Sequence, residues 1–244
     1  MSDQSTQQNP FTTRRFIVAV IVVGIIAICA VIVIISNVTG GNAKAKPGGS
    51  GPATSSSPVA ASDPDPSTCG LAGYETSSSL TTAPKTTWQL VGVVAAPSDK
   101  TGAGPGVINS TGFRSCYAHT AKGALFSAAN FTALGADATM RQQLASLVAP
   151  GAGHDAVEKQ AAAGNANSSG VRAQVAGFKI DSYDAQNATV DLVLNYSDGQ
   201  LASLPLKLTW SGGDWKLILT ADGGLPLSPV KLQNLGGYIP WAGA

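Results

Sequence analysis

The hydrophobic positions of the chain form one long uninterrupted run near its start and short periodic groups further on. Residues 16–36 carry no charge, and as a helix rising about 1.5 Å per residue they match the ~30 Å hydrocarbon core of a bilayer. The pattern predicts one membrane-spanning helix at 16–36 after a cytoplasmic tail of residues 1–15. A cleaved signal peptide is the alternative, although its apolar region is normally shorter.

The basic residues around this run indicate its orientation. Arg14 and Arg15 abut its N-terminal end, whereas Lys44 and Lys46 stand further from its other end, and basic residues favour the cytoplasmic side. We therefore expect a single-pass protein of the cell membrane, with a cytoplasmic N-terminus and an extracytoplasmic C-terminal domain.

A stretch without periodicity separates the apolar run from a domain with helical and strand-like patterns. Residues 37–68 are rich in Gly, Ser, Ala and Pro, which predicts a disordered linker before a single domain at 69–244. In that domain residues 87–96 predict one strand. Apolar residues at helical spacing then predict a buried helix around 121–134, a second helix from an N-cap at Asp137, and a shorter one at 154–163.

The second half of the domain changes to a period of two. After a loop at 164–170, four strands are predicted, and the first changes its apolar phase near Ala176 and Gly177, which indicates a β-bulge. The outward position of Pro205 predicts an edge or bulged place for the third strand. The predicted class is therefore α+β, with helices packed on a curved antiparallel sheet that forms a cone with an apolar pocket.

Four stretches of the domain carry a resemblance to known proteins: GFRSCYAHTAKGALFSAANF, QVAGFKIDSYD, LTWSGGDWKL and LGGYIPWAGA. The hairpin with the Gly-Gly-Asp turn resembles the closing hairpin of nuclear-transport-factor-2-like domains. Together, on a chain with one N-terminal anchor, the stretches are similar to a family of uncharacterised actinobacterial membrane proteins found with conjugation or type IV secretion-like genes.

The resemblance implies a single-pass subunit with an extracytoplasmic nuclear-transport-factor-2-like domain. Its architecture is similar to that of the bitopic assembly factors of type IV secretion systems and of the clostridial conjugation protein TcpC, which act by protein contacts. We therefore expect a scaffold or assembly subunit whose partners are other membrane or envelope subunits, with a homo-oligomer also open. The alternative is a small-ligand-binding or sensor module that uses the apolar cone pocket.

Composition and motif spacing restrict the chemistry of the domain. The whole chain has 15 Lys/Arg and 14 Asp/Glu. The basic residues of the domain form no basic face, so direct nucleic-acid binding is not expected. His119 and His154 lack metal-ligand spacing, so we expect a non-enzymatic protein without catalytic residues, metal or cofactor. Cys69 and Cys116 are expected to form a disulfide in an oxidising compartment, with two buried thiols as the alternative.

Aromatic residues define two further candidate surfaces. If the cone holds a pocket, the aromatics expected near it are Trp88, Phe126, Phe178, Trp210 and Trp215. Ordinary core packing is the alternative explanation for all five. The uncharged end GGYIPWAGA is expected to dock on the domain. The alternative is that Tyr238, Ile239 and Trp241 form a surface for a partner subunit.

Overall fold

The computed structural model describes residues 62–78, 80–163 and 172–243. The predicted membrane helix at 16–36, most of the predicted linker and the predicted loop at 164–170 lie outside these residues. Within the described ranges, no helix has the length and apolar character needed to cross a membrane.

The described residues form helices in the middle and strands on either side of them in the chain. The helices are α1 (Ala121–Ala136), a 3₁₀ helix (Arg141–Leu147) and α2 (Ala152–Ala162). The short strands before them are β1 (Thr87–Val91), β2 (Val94–Ser98), β3 (Val107–Ile108) and β4 (Arg114–Ser115). The strands after them are β5 (Ala173–Tyr183), β6 (Asn187–Tyr196), β7 (Leu201–Trp210), β8 (Trp215–Leu217), β9 (Val230–Leu232) and β10 (Ile239–Pro240).

The later strands build one antiparallel sheet in the order β10-β5-β6-β7-β8, with β9 also pairing with β7. Helix α1 packs on this sheet, and its apolar side chains join those of β5 to β8 in the main core. The predicted α+β class with an antiparallel meander is thereby confirmed. Strands β8 and β9 pair with opposite ends of β7. Pro205 lies between these two paired ends, so neither β8 nor β9 requires the backbone N–H that proline lacks.

The predicted bulge in β5 is confirmed, and it is the docking place of the C-terminal tail. The register of β5 against β6 shifts between Val175 and Gly177. Pro240 of β10 pairs with Gly177, and the N–H of Trp241 donates to the carbonyl of Ala176 at 3.0 Å. The side chain of Trp241 is only 5% exposed. The extra residue thus bends β5 at the place where the tail enters the core.

The region before α1 differs from its prediction. Residues 87–96 do not form one strand, because Gly92 has φ +58 and turns the chain between β1 and β2, so that Trp88 pairs with Pro97. Glycine adopts this left-handed conformation without the steric cost of a Cβ atom.

The second predicted helix is also corrected. Asp137 ends α1 and accepts hydrogen bonds from the N–H and hydroxyl of Thr139, so the chain turns before it re-enters a helix at Arg141. That helix has 3₁₀ geometry and is short, because the side chain of Asp137 stabilises a turn at the position where an N-cap was predicted.

The predicted linker boundary at 68/69 falls inside a packed segment. Asp63 hydrogen-bonds to His119 at 2.9 Å, the carbonyl of Asp65 accepts from the indole N–H of Trp210 at 2.9 Å, and the N–H of Thr68 donates to Gly213 at 3.0 Å. The folded domain therefore includes the described residues from 62 onward.

The carboxylate of Asp214 joins distant parts of the domain at the turn between β7 and β8. It is buried, and it accepts the backbone N–H groups of Cys116, Tyr117 and Trp215 at 3.0, 2.9 and 2.9 Å. Burial raises the pKa of the Asp214 carboxyl, while Lys216 and the three N–H donors oppose that shift.

The predicted disulfide between Cys69 and Cys116 is confirmed and lies beside this carboxylate. Cys116 has φ +66, a conformation that costs a non-glycine residue free energy. The disulfide and the Asp214 hydrogen bonds hold it there. They also connect the start of the described chain to the β7–β8 turn.

Replacing Asp214 by alanine should lower the free energy of unfolding by at least about 2 kcal/mol, because three buried N–H donors lose their acceptor. Urea denaturation measures this loss. Asp181→Ala is the matched control, since Asp181 is exposed and pairs with Lys179 at the surface, and it should cost less than about 1 kcal/mol. Equal losses in the two variants would contradict the role given to Asp214.

The same pair of proteins tests the pKa of Asp214. Because burial raises the pKa of Asp214 in the folded state, this carboxyl binds its proton more tightly there than in the unfolded chain. The wild type should therefore lose stability as pH rises through that raised pKa. Asp214→Ala should lack this part of the pH dependence.

Candidate functional site

A cavity of about 470 Å³ opens between the helices and the sheet. Its lining comes from the last turns of α1, the 3₁₀ helix, α2, strand β7 and the loop after β8. The lining residues are Phe131, Thr132, Gly135, Ala138, Arg141, Gln142, Leu144, Val157, Gln160, Ala161, Leu204, Leu206, Leu219, Gly223 and Leu225.

The sheet side of the cavity is made of leucines. Leu204 and Leu206 lie two residues apart on β7 and therefore face the same side of the sheet, and Leu206 is almost completely buried. Leu219 and Leu225 come from the loop that follows β8. The cavity thus lies beside residues 204–207 of β7, where β6 pairs on one side and the described residues supply no strand on the other.

The helix side supplies the polar groups. Thr132 donates its hydroxyl to the carbonyl of Ala128 at 2.9 Å, and the Gln160 amide donates to the carbonyl of Asp222 at 3.1 Å. The Nε of Arg141 donates to the carbonyl of Gly135 at 2.9 Å. Among the lining residues that the structure describes, Arg141 is the one with a charged side chain.

Two features explain why the cavity is open. Gly135 has no side chain at the point where α1 faces the 3₁₀ helix, and among the described residues a Cβ atom there would meet Leu144 alone, at 4.0 Å. Arg141 also binds the free carbonyl of Gly135 near the C-terminal end of α1, where unpaired carbonyls and the helix dipole favour a cation. The contact holds the Nε of Arg141 at the end of α1.

A family model described as a domain of unknown function, DUF8175, matches residues 50–240. The chain belongs to the DUF8175 family. No curated protein matches the chain, and no solved structure matches it. The matched range of the DUF8175 domain contains both cysteines, the turn at Asp214 and the whole lining of the cavity.

The aromatics predicted near a pocket lie in the core of the DUF8175 domain and do not line the cavity. Three of them surround the tail residue Trp241, with ring centroids at 4.7 Å for Trp88, 5.6 Å for Phe126 and 5.5 Å for Phe178. Trp210 and Trp215 pack on each other at 5.4 Å. Their large side chains fill the core between α1 and the sheet, which leaves the cavity to smaller leucines further along β7.

The tail residues offered as a partner surface contact the DUF8175 domain itself. The Tyr238 hydroxyl donates to the buried carboxylate of Asp191 at 2.8 Å, and Ile239 pairs with Phe178. Trp241 is buried, and its indole N–H donates to the carbonyl of Pro84 at 3.2 Å.

His119 and Cys116 do not form a reactive pair, because Cys116 is in the disulfide. His119 is 3% exposed, stacks on Trp210 at 3.9 Å, and has a hydrogen-bond partner at each ring nitrogen, in Asp63 and Ala185. Its contacts are those of a structural residue that holds the segment around Asp63 on the domain.

His154, Asp155 and Glu158 come together on the surface of α2, with one possible ligand atom of each within 4.8 Å of the others. Asp155 and Glu158 are exposed. Carboxylates one turn apart on a helix surface meet a neighbouring histidine in this way without any ion. We assign no metal to the cluster.

The sequence did not predict which residues line the cavity. Leu204 and Leu206 alternate along β7, so part of the lining carried a signal in the sequence. The gap at Gly135 and the position of Arg141 carried none, because both depend on how the 3₁₀ helix packs against the end of α1.

Proposed function

We propose that this DUF8175 domain is an extracytoplasmic binding domain that holds a small, mainly apolar ligand in the cavity between α1, α2 and β7, with residues 16–36 as its membrane anchor. The observation that carries the proposal is the cavity itself. Its volume of about 470 Å³ falls within the usual range for ligand pockets, roughly 300–1,000 Å³, and an apolar lining with a few polar groups is typical of such sites.

Two further features support the location and the fold assignment. The Cys69–Cys116 disulfide favours an oxidising compartment outside the cytoplasm. Helices packed over a bent antiparallel sheet are consistent with a nuclear-transport-factor-2-like cone, in which the cavity would be the open end.

The proposal predicts that a side chain added at Gly135 blocks binding. Gly135→Leu should fill the cavity and abolish saturable binding of octan-1-ol, measured by calorimetry on the full chain in lipid nanodiscs against protein-free nanodiscs. Gly135→Ala is the matched control and should still bind, because its Cβ meets only Leu144 at 4.0 Å. Alanine in place of a helical glycine should also stabilise the domain by up to about 1 kcal/mol.

Two results would overturn the proposal. One is a wild type without saturable binding, and the other is binding by Gly135→Leu equal to that of Gly135→Ala. Both variants share the same lipid background, so partition of the alcohol into the bilayer does not affect the comparison.

A second candidate function is a scaffold or assembly subunit of a conjugation or type IV secretion-like machine. The observation that favours it is the tip of the β1–β2 hairpin, where Leu90 is 74% exposed and Val93 is 45% exposed. Exposed apolar side chains next to each other at a turn are suited to contact with a partner subunit. The resemblance to anchored proteins of such gene clusters supports the same role.

For this candidate, Leu90→Ser combined with Val93→Ser should abolish co-purification of transfer-machine subunits from cross-linked membranes and reduce transfer. Domain stability should change by less than about 0.5 kcal/mol, because surface substitutions rarely cost more. Val230→Ser serves as the control, since Val230 is 58% exposed on β9 and lies far from this tip in the sequence. Normal transfer after deletion of the gene would exclude the scaffold role.

A further inference from the structure

A second cavity, of about 490 Å³, lies at the open end of the β1–β2 hairpin. It shares none of its described lining residues with the leucine-lined cavity beside β7. Its lining side chains are all polar: Lys85, Thr86, Thr87, Gln89, Ser98, Asp99 and Lys100. Such a lining offers no surface to an aliphatic ligand, so recognition here depends on charge and hydrogen bonds.

The charge that this second cavity presents is positive. The antiparallel register of β1 and β2 brings Lys85 and Lys100 to opposite sides of the hairpin end, and both line the cavity. In the part of the chain that the structure describes, neither lysine is in an ion pair, whereas the carboxylate of Asp99 is paired with Lys122 at 2.7 Å. Like charges across a hairpin repel each other, and an anion between the two lysines would offset that repulsion.

The side-chain amide of Gln89 has a fixed direction in this lining. Its Oε1 accepts from the Nη2 of Arg114 at 2.8 Å, and a guanidinium donates hydrogen bonds without accepting any. The Nε2 of Gln89 is therefore the end of the amide that is left for the cavity, and no described residue accepts a hydrogen bond from it. Gln89 thus adds N–H donors to the two lysines.

Behind Gln89, the positive charge of Arg114 has no carboxylate partner among the described residues. Arg114 is 5% exposed, and the described acceptors of its guanidinium are the neutral amides of Gln89 and Asn130. Its Nε has no hydrogen-bond partner among the described residues. Burial lowers the pKa of Arg114, the direction expected for a buried cation. The field of this charge favours an anion on the other side of Gln89.

We propose that the second cavity binds a phosphate group between Lys85 and Lys100, with the amide of Gln89 as a further donor. A phosphate monoester carries more than one negative charge near neutral pH and has three strong acceptor oxygens, so it matches two ammonium groups and an N–H donor. Arg114 is a positioning residue that orients Gln89. The site is separate from the leucine-lined cavity and does not rest on the binding of an apolar ligand there.

Calorimetric titration with inorganic phosphate tests the site on the full chain in maltoside micelles, which contain no phosphate. The wild type should bind phosphate saturably. Lys85→Gln combined with Lys100→Gln should lower the affinity at least about tenfold, because charge-assisted hydrogen bonds are the strong ones. Lys207→Gln combined with Lys231→Gln is the matched control, since both lysines are exposed and lie outside the second cavity. It removes the same charge and should leave the affinity unchanged.

Gln89→Glu separates loss of binding from loss of folding. A carboxylate at this position would pair with Arg114 and would remove the amide donors from the cavity. The variant should therefore unfold at a higher temperature than the wild type and bind phosphate at least about tenfold more weakly. A variant that had merely lost its fold would instead unfold at a lower temperature.

The lipid of a nanodisc separates two sources of the phosphate group. If the group belongs to a lipid headgroup, phosphatidic acid should compete with inorganic phosphate and weaken its binding relative to nanodiscs with phosphatidylserine. Equal affinities in the two nanodiscs assign the site to a soluble phosphate. Either result supports a phosphate site.

Three results would overturn the proposal. The first is a wild type without saturable phosphate binding. The second is an equal loss of affinity in the Lys85/Lys100 variant and in its control, since general attraction of an anion explains that result. The third is binding by Gln89→Glu as tight as that of the wild type. None of them bears on Gly135→Leu, which tests the leucine-lined cavity.

Discussion

The buried carboxylate of Asp214 is the constraint on which the rest of the domain depends. Its three backbone donors come from two places that are far apart in sequence, at Cys116 and Tyr117 on one side and at Trp215 on the other. Cys116 then connects to Cys69 through the disulfide. One turn of the sheet therefore fixes the entry of the chain into the domain, the segment before α1 and the closing hairpin.

The same region holds His119 and Cys116 in structural contacts. His119 lies against Trp210, Asp63 and Ala185, and Cys116 is oxidised. The tail closes the opposite region, where Trp241 enters beside the bulge of β5 and packs on Phe126 and Phe178. The leucine-lined cavity beside β7 lies outside both of these regions.

The sequence predicted those parts of the fold that depend on local periodicity. The phase change at Ala176 and Gly177 located the bulge, and the uncharged tail with its aromatics predicted a docked terminus. The turn at Gly92 was not predicted, because a single glycine in a valine-rich run does not by itself indicate a positive φ. The role of Asp214 was also missed, since its partners at Cys116 and Tyr117 are 98 and 97 residues away. The cavity follows from packing between Gly135 and Arg141, which periodicity does not describe.

Methyl NMR of the full chain in nanodiscs tests whether a ligand enters the leucine-lined cavity. Titration with octan-1-ol should shift the methyl resonances of Leu204, Leu206, Leu219 and Leu225 together, along one saturable curve. The methyl resonances of Leu90 and Val93, at the hairpin tip, should stay in place. Shifts confined to the hairpin tip, or none at the four leucines, would contradict the account.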